Sequence, residues 1–203
     1  MIATDASPAP TTRTGNPRRF QRPAWIGFGL AVVVGARWAA TVAEAPPYLV
    51  GALFGIAFVA LAAAGGMRFA LPTRSAVLVG LAGSVVLVVL ALGASQLAGQ
   101  PLRAVPKTEF AAWVLITIVV ASAEELVLRG ALFDALRDSA GLSIAVFVTS
   151  LAFALMHVPL YGWHVVPLDL GVGVFLAGLR LASGSVAAPA IAHVAADLAT
   201  WSL

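Results

Sequence analysis

The chain has 203 residues, 61% hydrophobic and only 10% charged, with mean hydropathy +0.98. A soluble domain is typically ~45–50% apolar and ~25% charged, so this composition points away from a soluble fold and toward helices in lipid, where open sheets would leave backbone groups unpaired. The absence of cysteine excludes disulfides, thiolate catalysis and cysteine-based zinc sites. The pI of 10.2 reflects arginines clustered in short polar gaps; no basic stripe interleaved with aromatics occurs, so nucleic acid is not an expected partner.

Residues 1–23 are polar, rich in Pro, Thr and Arg, and predicted to be a disordered tail. Arg18-Arg19-Phe20 and Ala43-Glu44-Ala45 resemble fragments of an export signal, but the apolar run from Ala24 to Ala43 exceeds the ~7–15 residues of a signal's apolar core. It is predicted to be the first membrane helix. Six further spans follow: Pro47–Met67, Ser75–Ala98, Phe110–Leu136, Leu142–Val158, Val165–Leu181 and Val186–Leu203. The expected fold class is therefore all-α, a polytopic transmembrane bundle of about seven spans forming one integral membrane domain over residues 24–203. Spacings such as Gly51-x-x-x-Gly55 let such helices pack closely.

With the N-terminus cytoplasmic, that side holds Arg13, Arg18, Arg19, Arg22, Arg68, Arg74, Arg129, Arg137 and Arg180, against Arg103 and Lys107 opposite. Nine against two, or eight against two without Arg129, satisfies the positive-inside rule and places the C-terminus outside. Arg37 interrupts the first span and is expected to snorkel or to pair with a group the sequence does not identify. Trp163, His164 and Asp169 are assigned to the loop before span six, where Trp suits the membrane interface.

The polar residues inside the later spans carry the functional signal. Glu124 and Glu125 stand adjacent in the fourth span, with Arg129 four residues after Glu125. A charged side chain at the bilayer centre costs at least ~2.5–3.5 kcal/mol, so such residues are functional candidates by default. Glu125 and Arg129 have the favoured i,i+4 ion-pair order, which a purely structural pair would share. Phe153-x-x-x-His157 ends the fifth span, and His193-x-x-x-Asp197 lies in the seventh. Counting inward from the cytoplasmic ends at 1.5 Å per residue, Glu124 lies ~18 Å deep, His157 ~22 Å and Asp197 ~16 Å. Such agreement predicts one buried polar pocket.

In that pocket Glu124 can deprotonate a water that attacks a peptide carbonyl, with His157 positioning the water or sharing the base role. His193 and residue 197 can stabilise the oxyanion. The four residues Glu124, His157, His193 and Asp197 can also hold a divalent metal such as zinc, although no H-E-x-x-H is present. Phe153 reads as packing bulk beside the site.

The three motifs together resemble the CAAX-protease and bacteriocin-processing (CPBP, or Abi) family of intramembrane proteases. Its pattern is E-E-x-x-x-R, then F-x-x-x-H, then H-x-x-x-N or D, here Glu124-Glu125-x-x-x-Arg129, Phe153-x-x-x-His157 and His193-x-x-x-Asp197. The resemblance covers residues 110–203 and implies an all-helical membrane endopeptidase acting on a peptide or membrane-protein substrate. It implies that Glu124 and His157 activate water and that His193 and Asp197 form the oxyanion site. Glu125 and Arg129 would be supporting residues. The family is named as metalloproteases, while a metal-free glutamate mechanism is also argued for its prenyl-protease branch. The short chain and compact loops resemble bacterial members, which implies the plasma membrane. Many members carry Asn where this chain has Asp197; an amide can donate to an oxyanion, whereas Asp197 must be protonated, ligate a metal or orient a histidine. Two other functions fit the composition. One is a non-catalytic scaffold or bacteriocin-immunity protein of the same fold. The other is a proton-coupled transporter, although no internal repeat supports it.

Overall fold

The computed structural model describes residues 17–97, 103–104, 108–199 and 201–202. The expected disordered tail over 1–16, and Ala98, Lys107 and Leu203, lie outside the described residues. The described chain is a helical bundle: α1 (Gln21–Val42), α2 (Pro47–Ala64), α3 (Arg74–Leu97), α4 (Phe110–Glu125), a π-helical segment (Leu126–Leu132), α5 (Phe133–Ala140), α6 (Leu142–Tyr161), α7 (Val166–Ser183) and α8 (Ala187–Ala199). Short 3₁₀ turns precede α1 (Pro17–Phe20) and α7 (Trp163–Val165). Two-residue strands β1 (Arg103–Ala104) and β2 (Trp201–Ser202) pair in parallel.

Six helical stretches are long and apolar enough to cross a membrane: Gln21–Val42, Pro47–Ala64, Arg74–Gly93, Phe110–Ala140, Leu142–Tyr161 and Trp163–Ser183. The expected seventh span is an apolar helix of 13 residues, ~20 Å long against a hydrocarbon core of ~30 Å. The first helix starts at Gln21, so the polar tail gives way to helix earlier than position 24. Asp169, expected in a loop, lies in the first turn of α7. Pro at the start of α2 and α7 suits the first turn of a helix, where its missing N–H has no partner to lose. Gly141, at φ +93°, makes the turn between α5 and α6 that an L side chain would resist.

Large apolar side chains such as Phe28, Ile56, Val85 and Val89 are exposed on the outside of the bundle. On a membrane helix they face lipid. The interior closes through buried apolar side chains such as Phe54, Phe58 and Leu128, together with small residues and polar contacts. A Cβ on Gly51 would lie 2.7 Å from Ile116 Cγ2, and one on Gly55 2.6 Å from Val119 Cγ1, so this glycine pair seats α2 against α4. A Cβ on Gly80 would lie 3.0 Å from the Ala188 carbonyl oxygen, at the equally close contact of α3 with α8.

The bundle has two chemically distinct ends. Arg22, Arg68, Arg137 and Arg180 line a cleft at one end with Asp134 and Asp138. There Arg22 donates to the Gly65 carbonyl at 2.9 and 2.7 Å, tying the start of α1 to the end of α2. The helix ends at the other pole carry far fewer arginines.

Gly55→Leu is expected to lower the thermal unfolding midpoint of the detergent-solubilised protein, by an overpacking cost of about 1–3 kcal/mol. Gly35→Ala, where nothing lies within 4 Å of the new Cβ, should leave the midpoint unchanged or slightly raised.

Candidate active site

Glu124 and Glu125 close the last turn of α4, where the backbone passes into the π-helical segment. A π turn widens the helix and frees backbone groups from the regular ladder. The Arg129 carbonyl is taken up by Arg180 Nε at 3.0 Å, and Arg180 Nη2 also bonds Asp134 at 3.2 Å. Thus α7 clamps the irregular segment from outside, and Asp134 holds the clamp.

The adjacent glutamates face different surroundings. Glu125 is fully buried and accepts from Arg129 Nη1 at 2.8 Å and from His193 Nδ1 at 3.0 Å, both on Oε1. Arg129, equally buried, donates from Nη2 to the Gly173 carbonyl at 3.0 Å. A Cβ on Gly173 would stand 2.9 Å from Ser150 Cα, so only glycine lets α7 approach α6 there. The guanidinium lies 4.8 Å over the Phe153 ring. Phe153 also meets His193 edge-on at 5.2 Å and His157 at 4.7 Å. What the sequence offered as packing bulk is the shared wall of both histidines and the arginine.

Glu124 instead lines a cavity of about 410 Å³ together with Phe153, His157, His193 and Asp197. The predicted constellation is thus brought together from α4, α6 and α8. Oε1 of Glu124 faces Arg37 Nη1 at 3.4 Å, and Oε2 faces His193 Nε2 at 3.9 Å. His157 Nδ1 lies 2.8 Å from the Phe153 carbonyl, which can only accept, so Nδ1 carries hydrogen and Nε2 remains as the ring's acceptor in the neutral form. By the same logic His193 donates Nδ1–H to Glu125, leaving Nε2 3.9 Å from Glu124 and 3.7 Å from Asp197 Oδ2. The Asp197 side chain is 45% exposed, at the outer part of the cavity rather than its floor.

Two lining residues escaped the sequence reading. Arg37 has a definite partner in Glu124, and its guanidinium lies 4.3 Å over Phe54. Its depth in the first span was the available signal, but nothing local named an acid 87 positions away. Asp169 lines the cavity with Oδ2 3.8 Å from His157 Nδ1. It was hidden by being read as loop; the onset of α7 three residues earlier turns it inward.

Among the described residues, no three His, Asp or Glu side chains group so as to hold a metal ion. The Glu124 and Asp197 carboxylates stand 3.9 and 3.7 Å from His193 Nε2.

Residues 106–199, 94 of the 203, match the family model of the type II CAAX prenyl endopeptidases, Rce1-like. This part of the chain is similar to that CAAX-protease family. No curated protein and no solved structure matches the chain. At the level of the family, the match supports an intramembrane endopeptidase of CAAX-protease type. All three motifs fall inside the matched CAAX-protease segment; Arg37 falls outside it.

Arg129→Met leaves Glu125 buried without its guanidinium and is expected to cost about 3–5 kcal/mol of stability. The double variant Glu125→Gln/Arg129→Met should be less destabilised than the sum of the single variants, read as thermal midpoints in one detergent.

Proposed function

We propose that this chain is an integral membrane endopeptidase that hydrolyses a peptide bond with a water activated by Glu124 and His157. The observation that carries the reading is the cavity shared by Glu124, His157, His193 and Asp197, with Glu125 and Arg129 fixed behind it. Arg37 occupies Oε1 of Glu124, which leaves Oε2 to take a proton from water. His157, with Nδ1–H held by the Phe153 carbonyl, offers Nε2 to orient the same water. Attack on the substrate carbonyl turns its oxygen into an oxyanion. As imidazolium, His193 keeps Nδ1–H on Glu125 and presents Nε2–H to that oxygen. Asp197, facing the same nitrogen at 3.7 Å, serves in this reading as the partner of the imidazolium rather than as a donor. Glu124 then returns its proton to the leaving amine.

The metal-free form of this mechanism is the one proposed, since no three His, Asp or Glu side chains among the described residues group so as to hold a metal ion. The substrate is a peptide or membrane protein, and the setting proposed is a bacterial plasma membrane with the N-terminus cytoplasmic and the C-terminus outside. The second reading, a scaffold or immunity protein of the same fold, is favoured by the carboxylate at 197 where an amide would donate directly.

The test compares newly exposed protein termini in host membranes carrying wild type, Glu124→Gln or no protein. Termini that appear only with wild type are expected, with Glu124→Gln and His157→Ala each reduced by about 10²–10⁴-fold, the usual contribution of a general base. Chelator should leave the wild-type pattern unchanged. Identical patterns in all samples across growth conditions would favour the scaffold.

A further inference from the structure

The cavity is polar and buried at its floor and exposed at one rim. Glu124 and His193 are each only 3% accessible. Its other lining residues reach Leu90–Ala91 late in α3, Tyr161 at the end of α6, and Val165 and Leu168 around the start of α7. Of these Leu90, Tyr161 and Leu168 are exposed. Each belongs to the end of the bundle opposite the arginine-lined cleft of Arg22, Arg68, Arg137 and Arg180. The floor is sealed on the arginine side. Of the five residues that follow Glu124, all but Leu126 are fully buried: Glu125, Val127, Leu128 and Arg129. Depth agrees, since Glu124 and His157 lie ~18–22 Å from the arginine-rich edge of a hydrocarbon core ~30 Å thick.

Charge then gives the two ends a side. Without the buried Arg129, seven described arginines lie at the sealed end (Arg18, Arg19, Arg22, Arg68, Arg74, Arg137 and Arg180), against Arg103 at the open end. Adding Arg37 to the open side still leaves seven against two among the described residues. Short loops with an excess of Lys and Arg stay cytoplasmic.

We infer that the cavity opens on the non-cytoplasmic face of the membrane, and that the peptide bonds it reaches lie in extracytoplasmic segments of its substrates. The substrate class rests on the endopeptidase reading above; the direction of opening does not. A substrate would enter past Tyr161 and Val165, and water would reach Glu124 by the same route. Cytoplasmic tails would have no path, because the Glu125–Arg129–Phe153 layer stands between them and the floor.

The chain has no cysteine, so single cysteines report their own location. Trp163→Cys sits on the exposed turn beside the rim, Val165→Cys lines the cavity, and Ala70→Cys sits in the exposed loop at the arginine-rich end. A membrane-impermeant sulfonated maleimide is applied to intact host cells and, separately, to permeabilised cells. Trp163→Cys and Val165→Cys should label in intact cells, and Ala70→Cys only after permeabilisation. The reverse pattern, or equal labelling at both ends in intact cells, would overturn the proposal. Should a variant fail to accumulate, His164→Cys and Phe69→Cys replace the pair. Labelling needs no catalysis, so rim labelling without cleavage would leave the opening in place and remove only the protease reading. Wild-type-specific termini mapping to cytoplasmic segments would overturn the inference while leaving the protease standing.

Discussion

The buried carboxylate of Glu125 is the constraint on which the rest depends. Two charged groups with no water around them persist only when paired and hydrogen-bonded. Glu125 meets Arg129 along its own chain and His193 from α8, while Arg129 reaches the Gly173 carbonyl of α7. One acid thereby ties together the helices that frame the cavity. In a membrane, where helices gain little from apolar burial against each other, polar ties and close small-residue contacts carry a large share of the specificity.

The π-helical segment lets adjacent residues do different jobs. Glu125 points into the buried network and Glu124 into the cavity, and the Arg129 carbonyl loosened by the wider turn is caught by Arg180. Such turns recur at functional sites because they re-aim side chains at the cost of regular hydrogen bonds. Arg180, Gly173 and the α6–α7 contact belong to one arrangement, linked to His193 through Arg129 and Glu125.

Much of this was legible in the sequence. Apolar run lengths placed six crossing helices within a few residues, because lipid permits so few alternatives to a helix. Depth counting along spans four, five and seven brought Glu124, His157 and Asp197 to one level, and they line one cavity. The i,i+4 spacing anticipated the Glu125–Arg129 bond. Contacts between helices distant in sequence were not legible. The partner of Arg37 and the inward turn of Asp169 depend on how α1 and α7 lie against α4 and α6. No local pattern encodes that. The π segment was read as ordinary helix; the Arg180 bond to the Arg129 carbonyl comes from 51 positions away. The seventh span was read as Val186–Leu203, while its helix spans Ala187–Ala199.

The central claim is that two neighbouring glutamates divide the work, one chemical and one structural. Purified protein in lipid nanodiscs, given one identified substrate peptide, allows turnover and thermal midpoint to be measured together for wild type, Glu124→Gln and Glu125→Gln. The account predicts that Glu124→Gln loses turnover while keeping the wild-type midpoint, and that Glu125→Gln loses both together. Cleavage by Glu124→Gln at the wild-type rate would contradict it.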